Sequence, residues 1–119
     1  MNYKYITFNS ENRTVLLPKD KVNAMSDIER YAYVHEVAGH YLTKAFGDSY
    51  DIDHIHIERQ SVHEDDWYSY TLCAKKTKAG TFGVWTLNIE SGGLAHGHYD
   101  LTSNGVSKAM CVKRGYYNE

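Results

Sequence analysis

The chain has 119 residues, 42% hydrophobic and 24% charged, the balance of a globular protein able to bury a core rather than a disordered or fibrous one. Its 13 Lys and Arg against 15 Asp and Glu leave a formal net charge of -2, which removes the electrostatic case for a nucleic-acid or membrane-surface partner. No apolar run reaches the length of a membrane span, and the Met1-Asn2-Tyr3-Lys4 start lacks the apolar core of a signal peptide, so the expected location is the cytoplasm and the expected organisation one domain over residues 1–119.

In chain order, Tyr3 to Phe8 and Arg13 to Leu17 are β-prone runs separated by the turn formers Asn9-Ser10-Glu11-Asn12, which predicts a hairpin. Pro18 ends it, and Lys19 to Met25 reads as a polar connection. Ser26-Asp27-Ile28-Glu29 has the form of a capping box and opens a helix that should run to about Phe46, with Gly47 as its C-terminal cap. Ile28, Ala32, His35, Gly39, Leu42 and Phe46 fall on one stripe at helical spacing and are expected to form its buried face. His54-Ile55-His56-Ile57-Glu58 alternates as a half-buried strand does, with His63 to Asp66 as an exposed loop before a second strand over Trp67 to Ala74. After the basic turn Lys75 to Gly80, the stretch Thr81 to Ala95 reads as a helix, with Gly92-Gly93 marking a close approach to the first helix near Gly39. His96-Gly97-His98-Tyr99-Asp100 concentrates metal-ligand types, and a last short helix is expected over Val106 to Lys113. Cys73 and Cys111 are too few and too far apart for a disulfide framework and read as reduced structural thiols. The eleven tyrosines suit half-buried strands and, on an exposed face, protein contact.

The chemistry-bearing stretch is His35-Glu36-Val37-Ala38-Gly39-His40. It is close to the H-E-x-x-H signature of zinc hydrolases but one residue longer. In the four-residue form both imidazoles lie on one helix face and converge on one metal, and the Glu beside the first His serves as general base to the metal-bound water. Five positions apart, His35 and His40 diverge by roughly 140° on a regular helix, while Glu36 and His40 share a face. A single wide turn near Gly39 would bring the histidines together. His54 and His56 offer a second, strand-borne metal pair.

Glu29 to Arg59 resembles the peptidase domain of the FtsH-type, membrane-anchored AAA proteases: Ala32-Tyr33-Val34-His35-Glu36-Val37-Ala38-Gly39-His40-Tyr41 is similar to that family's A-Y-H-E-A-G-H-A helix, with His54-Ile55-His56-Ile57 at its next strand. Ser91-Gly92-Gly93-Leu94-Ala95 and Thr102 to Ala109 are similar to its G-G-x-A and S-N-D-L-x-x-A stretches, although Gly105 stands where the family has its ligand Asp. The H-E-x-x-G-H spacing itself resembles that of the dipeptidyl peptidase III family, in which both histidines bind zinc. The resemblance implies an α+β, zincin-like domain: an N-terminal β-hairpin, a central motif helix, a small antiparallel sheet and two C-terminal helices. It also implies a Zn2+ cofactor and hydrolysis of a protein or peptide substrate, with Glu36 as general base and His35 and His40 as two ligands. Asp100 is the first choice for the third, ahead of His96, His98 and Glu90. The alternative is a catalytically inactive, peptidase-derived fold acting as a protein-binding or inhibitory module, of the size of a phage or mobile-element accessory protein.

Overall fold

A computed structural model describes residues 3–60, 68–106 and 109. Two short strands, β1 (Thr7–Phe8) and β2 (Thr14–Val15), pair antiparallel. Two helices follow, α1 (Lys19–Ala24) and α2 (Asp27–Phe46), and then the strands β3 (His56–Arg59), β4 (Ser69–Lys75), β5 (Phe82–Asn88) and β6 (Leu94–Leu101). The last four form one antiparallel sheet in the order β3-β4-β5-β6. The architecture is therefore small α+β, with a hairpin and a sheet as expected. No described helix is long and apolar enough to cross a membrane.

α2 begins and ends where its local chemistry dictates. Ser26 stays extended and its hydroxyl accepts from the Glu29 N–H at 3.2 Å, while Gly47, at φ 63°, closes the last turn by donating to the Thr43 carbonyl. The buried face is only partly the expected one: Gly39 and Leu42 are buried and Phe46 packs against the core, but the stripe is turned about the helix axis at its N-terminal end. Tyr33, Val34, Val37, Ala38 and Leu42 are sealed against the sheet, whereas Ile28 is 86% exposed and Ala32 lies at the surface. The reason is that Arg30 and Tyr33, polar by residue type, belong to the inner face. The Arg30 guanidinium donates to the carbonyls of Val22, Asn23 and Met25 and pairs with Asp27 at 2.9 Å, which satisfies the end of α1 from within the core. The supposed polar connection Lys19 to Met25 is thus largely a helix, with Val22 buried beneath it.

The sheet carries its main core on the side facing α2: Tyr70, Leu72 and Ala74 of β4 and Trp85 and Leu87 of β5. On the opposite side Cys73 and Val84 form a smaller cluster with Ala109, flanked by Phe82, Leu101 and Val106. Burial on both sides explains the largest departure from the sequence reading. The expected helix over Thr81 to Ala95 is strand β5, a tight turn and the start of β6, because a central strand covered on both faces shows a nearly continuous apolar run and hides its period of two. Gly92 and Gly93, at φ 82° and 93°, make the turn. Gly92 does approach α2 closely, but at Tyr41, whose ring occupies the space a Cβ would need.

Other expectations are partly met. β3 starts at His56, and His54 sits in the preceding turn, where Asp51 accepts from it at 2.9 Å, so the two histidines are not a strand pair. Cys73 is a buried free thiol as expected, and burial pushes its pKa up. Of the last expected helix, Val106 to Lys113, Val106 and Ala109 are helical, and the helical turn begins earlier, at residue 103; the rest, with Cys111, the loop His63 to Asp66 and Trp67, lies outside the described residues. β6 is irregular: its pairing to β5 shifts register twice, and His96 and Asp100 adopt left-handed φ of 51° and 54°.

Candidate functional site

α2 is helical without interruption from Asp27 to Phe46. The wide turn needed to bring His35 and His40 together is absent from it; Gly39 is instead a buried helical residue whose open side faces Ile52. Glu36 and His40, one turn apart, share a face as the spacing requires. His35 lies half-buried beyond Tyr31 and Ala32, well round the helix from His40.

What the shared face holds is the start of the described chain. The Glu36 carboxylate accepts three successive backbone N–H groups: Lys4 at 2.6 Å on Oε1, and Tyr5 and Ile6, each at 2.9 Å, on Oε2. Three converging amides form a small anion-binding concavity, and here the anion is a side chain of the same protein. Of the three, Tyr5 stands where the next ladder pair, with Leu17, would fall; its N–H is spent on Glu36 and that of Leu17 donates to the Tyr33 hydroxyl, so the ladder starts only at Thr7. One turn on, His40 uses both ring nitrogens, Nδ1 with the Tyr3 hydroxyl at 3.0 Å and Nε2 with the Thr14 hydroxyl at 2.8 Å. In the neutral ring one nitrogen donates and the other accepts, so the two hydroxyls take opposite roles. Tyr3, Phe8 and Tyr41 surround the imidazole edge-on, with centroids 5.0 to 5.7 Å away. Desolvation lowers the His40 pKa, Lys44 lowers it further, and Glu36 works against both. Burial first, then Glu36, raises that of Tyr3.

The remaining predicted ligands lie elsewhere. Asp100, on exposed β6, pairs with Lys76 at 2.8 Å, and that hydrogen bond holds its carboxyl below the usual range. His98 stands opposite Val84 on the side of the sheet away from α2, His96 occupies one of the β6 irregularities, and Glu90 is exposed in the β5–β6 turn. His56 pairs with Glu58 at 3.2 Å. Among the described residues no group of three or more His, Cys, Asp or Glu side chains is placed to hold a metal. Among the described residues the donor set does not fit a zinc ion: Glu36 and His40 have their acceptor and donor atoms engaged with protein groups, and no third ligand stands beside them. Sequence reasoning missed Tyr3 and Thr14, the partners of His40, because neither stands near it in the chain.

A family model described as large polyvalent protein associated domain 24 matches residues 33–105, well over half of the chain. The chain belongs to that family. The polyvalent protein associated domain matched here runs from the middle of α2 to Gly105 and takes in Glu36, His40 and all four strands of the sheet, while β1, β2 and α1 precede the match. No curated protein and no solved structure matches the chain. The family assignment overturns the resemblance to the FtsH-type peptidase domain and, with the missing ligand group, the zinc metallopeptidase reading built on it. The G-G-x-A likeness has a physical explanation, since Gly92-Gly93 shapes a turn between strands and not a helix.

Proposed function

We propose that this polyvalent protein associated domain is a non-peptidase accessory module of a phage or mobile-element protein, which acts by binding another protein. The observation that carries the reading is the engagement of Glu36. A general base must face a water with a free oxygen, and both oxygens of this carboxylate are bonded to the backbone of residues 4–6. The H-E-x-x-G-H stretch serves as a clasp: Glu36 anchors the arm by its backbone, and His40 ties Tyr3 to Thr14. The family description is that of a domain associated with larger proteins of several parts, which agrees with a role in contact rather than turnover.

The test pairs two measurements on the full chain. A peptide library incubated with the protein, with and without added zinc, is read by mass spectrometry; cleavage that disappears in Glu36→Gln would overturn the proposal, and intact peptides are expected. Cross-linking in cells carrying the element, followed by reconstitution of the pair from purified components, is expected to return a defined protein partner.

A further inference from the structure

Beside the clasp runs an open groove of about 410 Å3. One wall is the stretch Thr14 to Lys19, the other is Ile89 to Ser91, and Val22, Tyr41 and Tyr68 line the space between. β2 forms the first wall and is an edge strand among the described residues, in which the small sheet consists of β1 and β2. The direction of its backbone follows from the hairpin register. Asn9 N–H donates to the Arg13 carbonyl at 3.0 Å, and the next hydrogen-bonded pair, two residues on, is Thr7 with Val15. Thr14 and Leu16 therefore direct their N–H and C=O groups away from β1, along the groove side. Their side chains point inwards, Thr14 to His40 and Leu16 to the core, whereas Val15 faces out. Glu90 is exposed on the opposite wall and has no ion-pair partner among the described residues, while Lys19 lies over the Tyr68 ring at 5.3 Å.

We infer that this groove is a docking site for an extended segment of a partner protein, which adds as a third, antiparallel strand to the edge of β2. A two-stranded ribbon of two-residue strands is marginal by itself, and a third strand completes it. The chemistry of the segment follows from the walls. Residues opposite Thr14 and Leu16 turn their side chains to the groove floor and are apolar; the residues between them face out beside Glu90 and are basic, which complements its uncompensated charge. The inference deepens the binding-module reading and rests on it.

The probe is an acetylated, amidated heptapeptide of alternating Val and Lys, titrated into the 15N-labelled full chain. Saturable shifts at residues 14–17 and 90–91 are expected, with slowed hydrogen exchange at the Thr14 and Leu16 amides. Two further peptides separate a strand from nonspecific adhesion. N-methylation of the Val residues removes the donors that reach β2 and should cost at least about tenfold in affinity, the loss of two hydrogen bonds, whereas N-methylation of the Lys residues faces the outer edge and should be tolerated. Glu90→Lys should weaken binding by about two- to fivefold at low salt, the range of an exposed ion pair. No binding, equal binding of the two methylated peptides, or unprotected Thr14 and Leu16 amides would each overturn the groove. Mass spectrometry of the same samples keeps the two proposals apart: cleavage of the peptide would overturn the accessory-module reading itself, whereas an intact peptide that fails these tests overturns only the docking site.

Discussion

Glu36 and His40 show how residues of catalytic type can be committed to structure. Replacing Glu36 by Gln keeps one acceptor oxygen but sets an NH2 group against backbone donors, so amides of the arm lose their partner. A cost of about 1–3 kcal/mol is expected, visible as a fall of several degrees in the thermal midpoint followed by circular dichroism; an unchanged midpoint would remove Glu36 from its anchoring role. His40 makes a pH prediction. Its pKa in the fold lies below the ordinary value of 6.5, chiefly through desolvation, so the unfolded chain takes up a proton before the folded one does. The stability contributed by neutral His40 is therefore complete above that ordinary value and is lost as pH falls through the lowered one. Melting temperatures measured from pH 8 to 4 should decline more steeply for the parent than for His40→Gln, which can also donate and accept but does not titrate; parallel curves would contradict the assignment.

At the scale of the element, β5 is the strand on which the sheet depends, and Gly83 is its tightest point. A Cβ there would run into the ring of Trp85, which is 1% exposed and has nowhere to yield. Gly83→Ala should cost about 1–3 kcal/mol as an overpacking change, measured by urea unfolding with an unaltered slope. The same strand marks the boundary of what the residues disclose when read in order. α2 was legible from end to end because its signals are local: Ser26 capping Glu29, Gly47 with positive φ, and twenty intervening positions free of proline. β5 was not, because burial on both faces erases the alternation that distinguishes a strand. The hairpin was legible through its turn residues, and the β3–β4 pair through the alternation of His54 to Glu58 and the β-prone run after it. The site was legible only in part: Glu36 and His40 stand out as residue types, but the hydroxyls that engage His40 come from 37 and 26 residues away, and no window along the chain contains both.

For the whole molecule, the aromatic cluster of Phe46, Tyr50, Trp85 and Tyr99 ties the end of α2 to the sheet. Trp85 lies at its centre, 4.9 Å from Tyr50 and 5.7 Å from Phe46, with its indole N–H donating to Tyr99 at 3.3 Å. Trp85→Ala should remove about 3–5 kcal/mol, a large share of the stability of a domain this size, and the variant should show lost near-ultraviolet dichroism at growth temperature. A cooperative transition close to that of the parent would show that the helix and sheet hold together by other means. The irregular course of β6 carries a consequence for the behaviour of the protein at high concentration. An outer strand that kinks at His96 and again at Asp100, with an ionised pair of Lys76 and Asp100 beside the second kink, presents no straight row of amides to a neighbouring copy. Straightening it would lay a longer row of unpaired amides along that edge and favour edge-to-edge association between copies.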